Sequence, residues 1–113
     1  MGQRSVAVRL LLDHMDRLCV ERKVKGGKLF RLKGVARNGK LVSIELTGDF
    51  FLCPEDSISA LENILLEQSE GKSIADAELG IRRAMQAKGM EVAGFEPSDL
   101  ADALMELVRC AGG

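Results

Sequence analysis

The fold is decided by one stretch, residues 28–47, which reads KLFRLKGVARNGKLVSIELT. Its first half alternates small or apolar residues with mostly basic ones, as a strand with one buried face requires. Asn38-Gly39 follows as a two-residue turn, because both residues tolerate the positive φ angles of a type I′ hairpin. The second half alternates again, so the stretch predicts an antiparallel hairpin. The residues expected on its apolar face are Phe30, Leu32, Gly34, Ala36, Val42, Ile44 and Leu46.

The sequence before this hairpin carries a helical pattern. Apolar residues recur at helical spacing from Val8 to Cys19, and Ser5 is a suitable N-cap residue. The pattern predicts an N-terminal helix within residues 1–22, separated from the first strand by the Gly26-Gly27 turn.

Three further helices are predicted after the hairpin. Gly48–Leu52 is expected to extend the second strand, and Pro54 is expected to open the next helix, because proline suits a first helical turn. The second of the three is marked by a cap at its start and a glycine at its end, and the third by a proline just before it. The boundary residues are Ser73 with Asp76, Gly89, and Pro97-Ser98.

Length and composition indicate one α+β domain over residues 1–113, in which helices cover one face of a small sheet built on the antiparallel hairpin. The chain is 46% hydrophobic and 29% charged, which is ordinary for a soluble globular protein. Its three cysteines, Cys19, Cys53 and Cys110, are widely spaced and odd in number, which favours a reducing cytoplasm over a disulfide framework or a metal site. No apolar run approaches the length of a membrane span, so no membrane association is expected.

Charge is distributed unevenly along the chain. Residues 1–40 hold eleven basic and three acidic residues, a net charge of +8, and the remaining residues carry a net charge of −9. Such a split is typical either of a surface for an anionic partner or of basic strands packed beside acidic helices. The second interpretation is preferred, with much of the charge cancelling inside the fold.

Residues with catalytic chemistry are scarce. His14 is the only histidine and has no nucleophile near it in sequence. Cys53 precedes Pro54 at an expected helix start, where a thiol gains reactivity, although a buried, inert thiol is the preferred interpretation. Gly26-Gly27-Lys28 lacks the spacing of a phosphate-binding loop and precedes a strand. The sequence therefore predicts no catalytic, cofactor-binding or metal-binding residue.

The ordered motifs resemble a known family. The run GGKLFRLKGVARNGKLVSIELTGDFFLCPEDSISALENIL, residues 26–65, is similar to the C-terminal accessory domain of lipoate-protein ligases. Gly94–Leu100, reading GFEPSDL, looks like that domain's entry into its last helix. The resemblance covers about residues 23–110 and leaves the N-terminal segment outside the motif run.

This resemblance implies a noncatalytic subunit of an ATP-dependent ligase, not an enzyme on its own. In the family, a catalytic domain converts lipoate and ATP to lipoyl-adenylate, with magnesium implied at the same site. The lipoyl group then passes to a lysine of an acceptor, such as a glycine-cleavage H protein or a dehydrogenase E2 domain. The small domain is fused to the catalytic one or is a separate chain, and this sequence, which begins with Met and lacks the catalytic half, is expected to be the separate form.

A subunit that caps the active site of the catalytic subunit must contact it, and the sequence suggests which residues do so. Glycines permit a close approach of the backbone, and a surface phenylalanine can anchor an interface. Because consecutive strand residues face opposite ways, one of Phe50 and Phe51 is expected in the core and the other on the surface. The predicted interface residues are Lys25, Gly26, Gly27, Lys28, Gly48, Asp49, Phe50 and Phe51.

Two alternative functions remain open at this stage. Small α+β domains of this kind also resemble sulfur-carrier and scaffold proteins, in which Cys53 would be the working residue. The basic first third would suit a nucleic-acid-binding module, although the scarcity of aromatic residues makes nucleic acid a weaker expectation.

Overall fold

A computed structural model describes residues 15–24, 26, 28–70 and 73–112. Three strands form one antiparallel sheet in the order β1-β2-β3, and two short strands, β4 and β5, form a second sheet. The elements are β1 Met15–Lys23, β2 Leu29–Arg37, β3 Lys40–Gly48, β4 Phe51–Cys53, a 3₁₀ turn Glu55–Ser57, α1 Ile58–Gln68, α2 Ile74–Ala87, β5 Glu91–Ala93 and α3 Pro97–Gly112. The predicted class, a single α+β domain with helices on a small antiparallel sheet, is confirmed.

The β2–β3 hairpin forms where the sequence predicted it. Asn38 and Gly39 have φ angles of 53° and 83°, the positive pair that a type I′ turn requires. Phe30, Leu32 and Ala36 are all buried on the inner face of the sheet. A two-residue turn fixes the register of the strands that follow, so local sequence determines this part of the fold.

One residue of the hairpin faces the opposite way from the prediction. Val42, expected on the apolar face, is exposed, and Leu41 is buried in its place. The register explains the change: Val35 lies opposite Ser43 but Ala36 lies opposite Leu41, so Val42 is the extra residue of a β-bulge. A bulge shifts the alternation of the residues before it by one position.

The first described element is the strand Met15–Lys23, so the prediction of a helix through residue 22 is wrong for residues 15–22. This strand pairs along its whole length with β2, with Met15 opposite Arg37 and Lys23 opposite Leu29. Its alternation is hard to see in the sequence because Arg22, a charged residue, points to the inner side, where it binds acidic residues of α3. The rest of the predicted helix, with its cap Ser5 and with His14, lies outside the described residues.

The segment after the hairpin also departs from the prediction. Strand β3 ends at Gly48, whose φ of +146° turns the chain away, so Gly48–Leu52 does not extend it. Phe51–Cys53 pairs instead with Glu91–Ala93 in the second sheet. Pro54 precedes only a three-residue 3₁₀ turn, and the α-helix starts four residues later than predicted, at Ile58.

The other two helices begin and end as predicted. Ser73 caps α2, because its hydroxyl oxygen accepts a hydrogen bond of 3.1 Å from the backbone N–H of Asp76. Gly89 follows this helix with a φ of +67°, and α3 begins at Pro97. The caps and breakers therefore locate these helices from local sequence alone.

All three helices lie on the same side of the three-stranded sheet. α3 contacts each of its strands and α2, and α1 contacts β3. The largest fully buried side chains join the two layers; they are Phe30, Leu32, Leu61, Ile64, Leu65, Ile81, Leu100, Leu104 and Leu107. Within the described part of the chain, none of the helices has the length and apolar character needed to cross a membrane.

Candidate partner-binding end of the sheet

Three segments that are distant in sequence meet at one end of the three-stranded sheet. They are the β1–β2 connection, the segment Gly48–Phe51 and the segment Gly94–Glu96, and we call this region the Phe51 end. The backbone N–H of Asp49 donates a hydrogen bond of 2.7 Å to the carbonyl oxygen of Leu29. This bond joins the start of β2 to the chain that leaves β3.

Two glycines allow these segments to approach closely. A β-carbon on Gly48 would collide with the carbonyl oxygen of Leu29 and lie 2.5 Å from the Cα of Phe30. A β-carbon on Gly94, whose φ is +122°, would lie 2.9 Å from the carbonyl oxygen of Asp49. Both positions therefore require glycine for packing within the chain itself.

An aromatic cluster fills the interior of this end. The ring centroid of Phe95 lies 5.1 Å from that of Phe30 and 5.0 Å from that of Phe50, with interplanar angles of 54° and 57°. Tilted pairs at these distances add about 0.5–1.5 kcal/mol each beyond the burial of their surface. One phenylalanine each from β2, the Gly48–Phe51 segment and the Gly94–Glu96 segment thus holds the end together.

Phe51 lies outside this cluster and is the most exposed large apolar residue among those described, at 79%. Its side chain borders two open depressions of about 560 and 470 Å³. Acidic side chains stand around it: Glu55 lines both depressions and Glu91 lines the larger one. The two consecutive phenylalanines face opposite ways as predicted: Phe50 is half-buried and packs against the core, and Phe51 is exposed.

A further open depression, of about 450 Å³, lies between the β1–β2 connection and the start of α3. Gly26 and Lys28 form one wall, and Phe95, Glu96 and Asp99 form the other. The Asp99 carboxylate accepts a hydrogen bond of 2.8 Å from the backbone N–H of Glu96, which fixes the entry into the helix. This depression has a cation on one side and carboxylates on the other.

The predicted interface residues fall at this end of the sheet wherever they are described. Gly26, Lys28, Gly48, Asp49 and Phe51 are exposed and Phe50 is half-buried. Gly48 and Phe50 also pack against other segments of the chain. Lys25 and Gly27 lie outside the described residues. The role of all eight predicted interface residues in partner contact stays a prediction.

Sequence reasoning missed the third segment of this end. Gly94 and Phe95 pack on Asp49 and Phe50, more than forty positions earlier in the chain. The motif Gly94-Phe95-Glu96-Pro97 indicates the start of the last helix, but nothing in the local sequence links it to the Gly48–Phe51 segment. Only long-range packing places them together.

The described residues offer little chemistry of their own. No group of three or more His, Cys, Asp or Glu side chains among them is arranged to hold a metal ion. Cys53 is exposed in β4 and is followed by a 3₁₀ turn of only three residues rather than by an α-helix. The expected burial of this thiol is therefore wrong, and the alternative, activation of the thiol by a helix N-terminus, lacks its helix.

Comparison with known proteins points to one system. No protein-family model matches the chain. A curated relative, lipoate-protein ligase A subunit 2 of Thermoplasma acidophilum, is 38% identical over 65 residues, which are 58% of this chain and 64% of the relative. The match thus spans somewhat less than two thirds of that relative's length.

A solved structure is similar over more of the chain. It comes from a structural study of an archaeal lipoylation system, a bipartite lipoate protein ligase and its E2 lipoyl domain from Thermoplasma acidophilum. The likeness covers 79% of this chain and 97% of that one, at 31% identity and a TM-score of 0.54.

Proposed function

This chain belongs to the family of lipoate-protein ligase accessory subunits, and from that premise we propose that it supports lipoate activation without contributing a catalytic residue. In this proposal a separate catalytic subunit, in the cytoplasm, forms lipoyl-adenylate from lipoate and ATP with magnesium. The lipoyl group then passes to a lysine of an acceptor, an H protein or an E2 domain. The chain serves this reaction as a cover over the partner's active site.

A cover has a clear physical use in this chemistry. Excluding water protects a reactive acyl-adenylate from hydrolysis and strengthens charge interactions with the phosphates. Holding the carboxylate in line with the α-phosphate lowers the entropic part of the barrier. Displacement of the cover then admits the acceptor lysine.

The single observation that carries the proposal, beyond family membership, is the exposed Phe51 on a rigid base. The ring projects from a strand whose neighbour, Phe50, is held in the aromatic cluster. An aromatic side chain on a preorganised support is typical of an interface hot spot. We expect it to enter an apolar pocket of the catalytic subunit, within an interface of about 1,200 Å² or more.

The acidic side chains around Phe51 set the polarity of that partner surface. Glu55 and Glu91 line the depressions that the Phe51 ring borders. Like charges across an interface are destabilising, so the pocket that receives Phe51 should have a basic rim.

Measuring pyrophosphate release tests the proposed function. The catalytic subunit from the same organism is mixed with ATP, magnesium and lipoate, with and without this chain. We expect release to rise by about tenfold or more when the chain is added. An equal rate in both mixtures would refute an accessory role in activation.

The Phe51→Ala variant tests the anchor. Its dissociation constant for the catalytic subunit should increase by about 30-fold, as for loss of a hot-spot residue, with an unchanged free energy of unfolding. Leu79→Ala is the matched control, because Leu79 is an exposed apolar residue of α2, away from this end. An equal increase in the dissociation constant for both variants would mean that Phe51 is not an anchor of the interface.

The Cys53→Ser variant separates this proposal from the sulfur-carrier alternative. Because the cover contributes shape rather than a thiol, the variant should stimulate pyrophosphate release as well as the natural chain does. Complete loss of stimulation, with Phe51 intact and the fold retained, would favour a function for the cysteine.

A further inference from the structure

The face of the three-stranded sheet that points away from the helices is rich in positive charge. Apart from Lys40, which lies beside the turn with its Nζ 3.8 Å from the Glu70 carboxylate, strand alternation and the register place five cations and two acids on this face, a net charge of +3. The cations are Arg17, Lys23, Arg31, Lys33 and Arg37, and the acids are Glu21 and Glu45. We call this surface the outer face.

Internal pairing neutralises only part of this charge. Arg31 donates a hydrogen bond of 2.9 Å from Nε to the Glu21 carboxylate. Arg22, on the opposite side of β1, binds Asp102 and Glu106 of α3 instead. The cancellation expected from the sequence therefore holds for Arg22 but leaves Arg17 and Lys33 exposed, with no ion pair to any other described residue.

None of the described helices covers the outer face, because α1 and α3 pack on the other side of the sheet and α2 packs against those two helices. The outer face is about 30 Å long, since nine strand residues rise roughly 3.3 Å each. An open depression of about 730 Å³ reaches this face and is lined by Arg17, Cys19, Lys33, Val35 and Glu45, among others. Phenylalanine is absent from the outer positions of the three strands.

We propose that the outer face binds an acidic surface of the lipoyl-acceptor protein; this rests on the proposed function and names a second partner for the same subunit. A charged face without a large apolar centre suits a transient contact, of the kind a substrate protein makes before it is released. The Phe51 end, with its apolar anchor, suits the lasting contact with the catalytic subunit. The two partners thus use different sides of the domain.

A protein fits this face better than a nucleic acid does. Glu21 and Glu45 lie among the cations, and they would repel a continuous phosphate backbone while pairing with the mixed charges of a protein surface. Single-stranded nucleic acid also needs aromatic side chains on which bases stack, and the outer positions of these strands carry none.

A double charge reversal, Arg17→Glu with Lys33→Glu, tests the inference. In the reconstituted ligase, the KM for an unmodified E2 lipoyl domain should rise by about tenfold with kcat unchanged, because the contact steers binding and not chemistry. The matched control reverses two exposed cations of the helix layer, Arg83→Glu with Lys88→Glu, and its KM should stay close to that of the natural chain. Equal KM values for both double variants would overturn the inference.

The experiment separates this inference from the proposed function. Pyrophosphate release before the acceptor is added reports on activation alone. If the natural chain gives no stimulation, the proposed function fails, and the inference is then judged by direct titration of the chain with the lipoyl domain. Salt-sensitive binding that the Arg17/Lys33 variant weakens would support it, and no binding would overturn it. Tighter binding of a random oligonucleotide than of the lipoyl domain would also overturn it.

Discussion

The two ends of the three-stranded sheet are built in different ways. At one end, Asn38-Gly39 closes the β2–β3 hairpin with two residues, and the nearest atom to a β-carbon on Gly39 would be the Ala111 carbonyl oxygen at 3.8 Å. At the Phe51 end, three segments from different parts of the chain interlock through Gly48 and Gly94. Local sequence determines the first end, and tertiary packing determines the second.

This difference separates a structural end from a functional one. The hairpin turn needs only residues that accept a positive φ, so its sequence describes its shape completely. At the Phe51 end, the glycines and the aromatic cluster hold the exposed surface around Phe51 in a fixed position. Rigid support of an exposed anchor is what a binding site requires.

Substituting alanine for Gly48 and for Gly39 should give the largest difference in stability loss between the two ends. Gly48→Ala combines a φ of +146° with a collision against the Leu29 backbone, so it should lower the free energy of unfolding by about 3 kcal/mol or more. Gly39→Ala has a positive φ but no contact closer than 3.8 Å, and it should cost about 1 kcal/mol. Urea denaturation of both variants measures the difference, and equal losses would show that the close approach at Gly48 carries no weight.

The two adjacent phenylalanines give the next contrast. Phe50→Ala removes a ring packed 5.0 Å from Phe95 and should lower the free energy of unfolding by about 2–3 kcal/mol. Phe51→Ala should change it by less than about 0.5 kcal/mol, because that side chain is exposed. Thermal unfolding of the two variants compares them directly. A large loss of stability in Phe51→Ala would contradict the exposed position of Phe51 and show that its side chain packs in the fold.

Ion pairs near the two ends give the smallest contrast. Arg22, beside the Phe51 end, bridges Asp102 and Glu106, whereas Lys40, beside the turn, faces Glu70 at 3.8 Å with both side chains about two thirds exposed. Arg22→Met should therefore cost about 1 kcal/mol and Lys40→Met about 0.3 kcal/mol or less. Urea denaturation at low and high salt measures both, and a larger loss for Lys40→Met would contradict the ranking.

The pH dependence of the Arg22 pairing follows from its charge. The hydrogen bond that Arg22 donates to the Glu106 carboxylate is the main reason that the pKa of Arg22 is raised above its ordinary value. A raised pKa in the folded state stabilises the fold at every pH below the ordinary value, and this contribution is lost only as pH rises through the folded pKa. The cost of Arg22→Met should accordingly not depend on titration of this guanidinium near neutral pH.

Much of the fold could be predicted from local sequence. The type I′ turn at Asn38-Gly39, the cap at Ser73 and the stop at Gly89 each depend on residues within a few positions of one another. The motifs of residues 26–65 and 94–100 were also sufficient to indicate the family. Such features can be predicted because the interactions that cause them lie within the segment itself.

The parts that were missed depend on contacts between segments. The sequence predicts a helix where strand β1 lies, because the inward Arg22 interrupts the apolar alternation and its acidic partners lie eighty positions or more away. The bulge at Val42 has no local marker. The three-residue strands of the second sheet exist only because Gly94 lets two distant segments meet, so the third part of the candidate site was missed with them.

The opposite charges of the two layers have a consequence beyond pairwise contact. The three helices carry seven acidic and three basic residues, a net charge of −4, behind an outer face of +3. The molecule is therefore an electric dipole, and the field of a charged neighbour exerts a torque that turns it before the two surfaces touch. Because the screening length is about 8 Å at physiological ionic strength, that alignment acts only over the last nanometre of approach.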